Sequence, residues 1–158
     1  MNPLPLTSAQ QTTIENLERR GQLRTMQSPN RAVPDLVKAE NFVDQAIEAL
    51  ADVSKVTSSK VVFDMTYNIA HDVGEAALAA YGYRTGSGTG QHQAVGEARA
   101  AIFDTPPDSA ASQRYDNFGL TRNGICYRAS PVSPRDTREG VQTATDLLDG
   151  DEARLGYP

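Results

Sequence analysis

The chain has 158 residues, 39% hydrophobic and 22% charged, which is typical of one compact domain. Its net charge of −5 disfavours nonspecific adhesion to nucleic acid. The sequence has no run of about 18 apolar residues, so no membrane-spanning helix is predicted. The N-terminus lacks the features of a signal peptide, and the one cysteine, Cys126, cannot form an internal disulfide, so we expect a cytoplasmic protein. We expect Cys126 itself to be a small buried hydrophobe.

Helical signals dominate the chain from its N-terminus onward. Apolar residues recur every three or four positions between glycine and proline breaks, and serine or threonine stands where several helices begin. No credible pair of strands is apparent, and residues 22–34 are predicted to be a connector. The predicted helices span about residues 8–20, 34–53, 58–83, 91–103, 109–127 and 133–148.

These elements predict an all-α protein, an up-and-down bundle of five or six helices with short connections. We divide it into an N-terminal helix and connector (residues 1–33), the bundle (residues 34–150) and a partly ordered C-terminal tail (residues 151–158). The glycine-rich segment GYRTGSGTG at 82–90 is predicted to be a flexible turn. A phosphate loop is disfavoured there because no strand is predicted before it and no GKS or GKT sequence ends it.

Most residue patterns of enzyme active sites are missing from the sequence. It has only two histidines, no paired cysteines, no HExxH and no acidic cluster at metal spacing, so we expect neither a metal site nor a cofactor. His71 is interpreted as a partly buried polar residue, and His92 as a capping or surface residue at the start of the fourth helix.

The fifth predicted helix carries the main candidate site, because Arg122 interrupts an apolar stripe there. Burying an unpaired guanidinium would cost several kcal/mol, so Arg122 must meet an anion, a partner chain or water. The alternative is that it snorkels or pairs with a carboxylate such as Asp116. The stripe consists of residues three or four apart: Tyr115, Phe118, Arg122, Ile125 and Cys126.

Further polar residues and two glycines lie near Arg122 on the same helix. Asn123 and Tyr127 are four residues apart on an adjacent face, so they form a polar cluster with Arg122. Gly119 and Gly124 each cost about 1 kcal/mol relative to alanine in a helix interior, which suggests close approach of another backbone.

The region from 114 to 138 also has a local excess of arginine, which includes Arg114 and Arg128. These two residues are candidates for binding RNA or a partner, although a solvated helix surface explains them nearly as well.

An ordered set of segments in this chain resembles the HEPN superfamily (higher eukaryotes and prokaryotes nucleotide-binding), in particular its short bacterial members. The resemblance spans roughly residues 34–150 and implies a helical bundle that commonly dimerises through the helices holding its motif. The segments are KAENFVDQAIEAL (38–50), YNIAHDVGEAALAAYGYRT (67–85), GTGQHQAVGEA (88–98), RNGICY (122–127) and TREGVQTATDLL (137–148).

The family motif is an arginine, usually followed by a polar residue, and then a histidine a few residues later. Arg122 and Asn123 match the first two positions, whereas Tyr127 stands where the histidine is expected. The resemblance therefore makes Arg122, Asn123 and Tyr127 the candidate catalytic residues. A tyrosine, with an ordinary pKa of about 10, is a poor base near neutral pH, but it can donate a hydrogen bond or stack on a nucleobase.

Three functions follow as expectations. The first is an RNA-directed protein of a toxin–antitoxin or defence module, either a weak metal-independent endoribonuclease or an RNA-binding protein. The second is a noncatalytic dimerisation domain that binds a partner protein such as a nucleotidyltransferase-type antitoxin. The third is a nucleotide-binding bundle, for which the sequence singles out no pocket. A homodimer is expected for the first two.

Overall fold

A computed structural model of the chain describes residues 1–26, 31–86 and 90–158. The predicted all-α helical bundle is confirmed, because helices make up most of these residues, and no described helix is long and apolar enough to cross a membrane. The helices are α1 (Ser8–Arg19), α2 (Leu36–Val53), α3 (Ser59–Ala80), α4 (Gln91–Ile102), α5 (Asp108–Arg128) and α6 (Pro134–Leu155), and the strands are β1 (Leu23–Thr25) and β2 (Tyr83–Thr85).

Four of the helices begin at a residue whose side chain caps them. The side chains of Thr7 and Ser133 each accept a hydrogen bond from the backbone N–H of the residue three positions later. In return, the side chain of that later residue accepts a hydrogen bond from the backbone N–H of Thr7 or Ser133. Asp35 and Ser58 accept one such hydrogen bond each at the starts of α2 and α3. The predicted starts of α1, α3 and α6 are confirmed, whereas α2 starts at Leu36, slightly later than predicted.

The core of the bundle is built around α3, which packs against α2 and α6 and is buried along most of its length. Alanine fills many of its buried positions and permits close packing of the neighbouring helices. Helices α4 and α5 pack against each other, and both also contact α3. Three helices therefore meet along one side of the bundle, and this junction holds the candidate site.

The two strands correct the prediction that the chain has no strand pair. They are antiparallel, with Leu23 opposite Thr85 and Thr25 opposite Tyr83, and the side chains of Leu23 and Tyr83 enter the core. Strands of three residues are too short for a period of two to be recognised, and these two lie far apart in the sequence. Residues 27–30 of the predicted connector and 87–89 of the predicted flexible turn lie outside the described residues.

Two helix ends also differ from the prediction. Helix α3 stops at Ala80, because Gly82 has φ +85° and lies where a side chain would come within 2.5 Å of the Val33 backbone. Helix α6 continues to Leu155, so the expectation of a partly ordered tail from residue 151 was wrong. Asp151 and Leu155 are both completely buried, which explains why the helix continues.

Candidate functional site

A pocket of about 540 Å³ opens between α4 and α5, next to α3. Its lining includes Tyr67 from α3, His92 from α4, and Asp116, Arg122 and Asn123 from α5. We call this cavity the α4–α5 pocket. It combines a cation, two carboxylates, two amides and two rings, which is the kind of mixed lining that binds a polar ligand.

Arg122 is half-buried in this pocket, and its guanidinium lies over an aromatic ring. The Cζ atom is 4.4 Å from the centroid of the Tyr67 ring, which is a cation–π distance. Within residues 1–26, 31–86 and 90–158, Arg122 forms no salt bridge with any carboxylate. The alternative in which it pairs with Asp116 was therefore wrong, and the positive charge remains available to a ligand.

His92 lies between two tyrosine rings, which corrects its interpretation as a capping or surface residue. Its ring centroid is 4.2 Å from that of Tyr115 and 5.3 Å from that of Tyr67, both in stacked orientation. The Nδ1 atom also forms a 2.9 Å hydrogen bond with the Tyr67 hydroxyl. A Cβ atom on Gly119 would overlap Nε2, so the close approach that this glycine allows is to an imidazole and not to a backbone.

The surroundings of His92 keep its imidazole neutral at physiological pH. Burial, followed by the charges of His71 and Arg122, lowers the pKa of His92 to about 4, against an opposing effect from the Tyr115 backbone. Nε2 is buried and has no hydrogen-bond partner among the described residues. Burial likewise raises the pKa of the Tyr67 and Tyr115 hydroxyls. The two phenols and the imidazole are therefore uncharged together.

A second set of polar contacts connects Tyr115, whose ring stacks on His92, to β2. The Tyr115 hydroxyl lies 3.2 Å from His71 Nδ1, and His71 Nε2 lies 3.9 Å from a Glu75 carboxylate oxygen. Glu75 accepts a 2.6 Å hydrogen bond from the Thr85 hydroxyl. His71 is thus a partly buried polar residue, as predicted, and its contacts position the Tyr115 ring that stacks on His92.

The structure places the three predicted catalytic residues in different surroundings. Arg122 and Asn123 both line the α4–α5 pocket, and the Asn123 side chain is exposed. Tyr127 is 82% exposed and lies outside the pocket lining. The cluster that spacing suggested is therefore divided, because Arg122 turns toward α3 while Tyr127 faces away from the pocket.

The two additional arginines lie away from the pocket lining. Arg114 forms an ion pair with Asp146 of α6, in a separate groove between α5 and α6. Arg128 is exposed at the end of α5.

Cys126 is exposed as well, so its prediction as a buried residue was wrong. Among residues 120–128 only Ile125 is buried, which explains why this end of α5 leaves the cysteine uncovered.

Sequence reasoning missed the ring residues of the site, Tyr67 and His92. A usable signal was present, because Gly119 follows Tyr115 by one helical turn and so opens a space beside a large ring. Which ring fills such a space cannot be read from one helix.

In the described part of the chain, no group of three or more His, Cys, Asp or Glu residues lies close enough to hold a metal ion. Comparison with protein-family models, curated proteins and solved structures gives no match. The chemistry of the pocket is therefore the basis for assigning a function.

Proposed function

We propose that this protein is a HEPN-like RNA-directed protein of a toxin–antitoxin or defence module, and that its α4–α5 pocket binds the phosphate backbone of single-stranded RNA. One observation carries the proposal. Arg122 is half-buried in a pocket, held over the Tyr67 ring, and has no carboxylate partner among the described residues.

A phosphate is the ligand that this arginine suits best. A guanidinium presents a planar set of donors that matches two phosphate oxygens, and its contact with the Tyr67 ring restricts its position before any ligand arrives. A partly desolvated cation without a counter-charge gains more from an anion than a fully hydrated one does. Asn123, the next residue, adds an amide that could donate to the same ligand.

The described groups favour binding over rapid cleavage. A general base for RNA cleavage works best with a pKa near the working pH. His92 has its pKa lowered to about 4 and its Nε2 atom buried, and the pKa of Tyr67 is raised. Tyr127, at the position of the family's histidine, is exposed and outside the pocket. These features support an RNA-binding role, with cleavage slow if it occurs.

A second candidate function is protein interaction through α5. Leu120 is 70% exposed and Tyr127 is 82% exposed, and two turns of helix place them on the same face. Gly124 lies between them and has open space where a side chain would be. This face suits a second copy of the chain or a partner such as a nucleotidyltransferase-type antitoxin. Leu120→Asp should then reduce the mass measured by light scattering.

The RNA proposal is tested with Arg122→Gln, which keeps a polar side chain and removes the charge. Affinity for a fluorescent single-stranded RNA, measured by anisotropy at constant salt, should fall about tenfold, because a charge-assisted hydrogen-bonded pair is lost. Arg138→Gln is the matched control, since Arg138 is exposed on α6 and does not line the pocket. Equal losses in both variants would indicate general attraction to charge and would contradict a site at the pocket.

A further inference from the structure

The α4–α5 pocket holds two opposite charges that do not pair with each other. Asp116 and Arg122 both line it, yet no salt bridge joins them, and Asp116 forms none with any other described residue. A Cβ atom on Gly96 would overlap Asp116 Oδ1, so this carboxylate sits against α4, whereas Arg122 lies over the Tyr67 ring of α3. The positive and the negative group of the pocket are therefore held by contacts with different helices.

Asp116 is the carboxylate with free capacity to accept hydrogen bonds. The other acid of the lining, Glu97, already pairs with Arg20 at 3.2 Å and accepts a 2.8 Å hydrogen bond from Gln93. Burial and the nearby charge of Glu97 raise the pKa of Asp116, so its ionised form would be stabilised by a hydrogen-bond donor. A ligand that satisfies both groups must carry an anion at one end and donors at the other.

A nucleotide has this polarity, and only one RNA base presents the right edge. The six helical steps from Asp116 to Arg122 correspond to a rise of about 9 Å along the helix, which is enough to hold a phosphate and a base edge apart. An ionised carboxylate only accepts hydrogen bonds. The Watson–Crick edge of guanine offers two adjacent donors, N1–H and the N2 amine. Adenine, cytosine and uracil each place an acceptor beside their donor, which would repel a carboxylate.

We propose that the α4–α5 pocket selects guanine within single-stranded RNA, with Arg122 binding a phosphate and Asp116 accepting hydrogen bonds from guanine N1–H and N2. This inference rests on the proposed function and adds base selectivity to it. The affinity for a strand with guanine at this position should be about tenfold higher than with another base, which is the usual discrimination of a two-point polar contact.

The test uses fluorescent oligouridine strands that carry one guanine, one hypoxanthine or one adenine at the same central position. Hypoxanthine keeps N1–H and lacks only the N2 amine, so its affinity should fall between the other two. Asp116→Asn should abolish the guanine preference, because an amide can accept only one of the two guanine donors and places its own donor against the other. Asp149→Asn is the matched control: it removes the same charge from an exposed position on α6 outside the pocket and should keep the preference.

The outcomes separate the two proposals. If RNA binds, and Arg122→Gln weakens it, but the three strands bind equally, the guanine inference is overturned and the proposed function stands. If Asp116→Asn strengthens binding of all three strands by the same factor, Asp116 acts only as a repelling charge, which also overturns the inference. If no strand binds, both proposals fail.

Discussion

Among the described arginines that lie over aromatic rings, Arg99 and Arg122 have opposite surroundings. Arg99 of α4 is 1% exposed, lies 4.3 Å from the Phe103 ring centroid and donates a 2.5 Å hydrogen bond to Asp151 of α6. Arg122 is 4.4 Å from the Tyr67 ring centroid, is half-buried and has no carboxylate partner among the described residues. One guanidinium is neutralised within the fold, and the other faces a pocket.

The difference shows how to separate a structural charge from a candidate binding charge. A fully buried guanidinium requires a counter-ion from its own chain, because no solvent can replace one. A half-buried guanidinium at a pocket can take its counter-ion from a ligand. A cation–π contact alone does not distinguish the two kinds of charge, since both arginines have one. The presence or absence of a carboxylate partner distinguishes them.

The largest expected effect is at the Arg99 pair. Asp151→Asn leaves a buried guanidinium without a counter-ion, so the free energy of unfolding should fall by about 3–5 kcal/mol in urea denaturation. Burial raises the pKa of Asp151 and Arg99 opposes that rise, so the carboxylate depends on its partner. The corresponding change at the other arginine, Arg122→Gln, should cost only about 1 kcal/mol, the worth of an exposed cation–π contact.

The double variant Arg99→Met with Asp151→Leu is the control for this comparison. Because it removes both charges and keeps apolar volume, it should be far less destabilised than Asp151→Asn alone. A single variant as stable as the wild type would mean that the pair contributes nothing, and the contrast between the two arginines would then fail.

An intermediate effect is expected at Gly119, which makes room for His92. Gly119→Ala should lower the free energy of unfolding by about 1–3 kcal/mol, because the added methyl group overlaps an imidazole held between two rings. Gly124→Ala, in the same helix with nothing within 4 Å, should instead raise stability by up to about 1 kcal/mol. If both variants change the free energy of unfolding alike, the effect of replacing Gly119 comes from backbone entropy and not from the His92 contact.

The last expected effect is a pH dependence from His92. Its folded pKa is about 4, below the ordinary 6.5, so between these values the unfolded chain binds the proton and the folded chain does not. Its contribution to stability is therefore complete above pH 6.5 and is lost progressively as the pH falls toward 4. The thermal unfolding midpoints of the wild type and His92→Asn should converge over this range. An unchanged gap would show that His92 titrates normally.

The sequence by itself determined the helical class and most element boundaries. The 3.6-residue spacing of apolar residues and the capping residues Thr7, Ser58 and Ser133 are local signals, and helices form through local hydrogen bonds. It also singled out Arg122 as a charge in an apolar stripe, because that stripe lies within one helix.

Only the tertiary structure decided where Arg122 points and which groups surround it. Tyr67, His92 and Asp116 belong to three different helices, and the space beside Gly119 is filled by a ring from another helix. The pairing of β1 with β2 and the burial of Asp151 against Arg99 are likewise contacts between distant segments. Periodicity within one helix carries no information about its neighbours, so the chemistry of the pocket depends on how α3, α4 and α5 pack together.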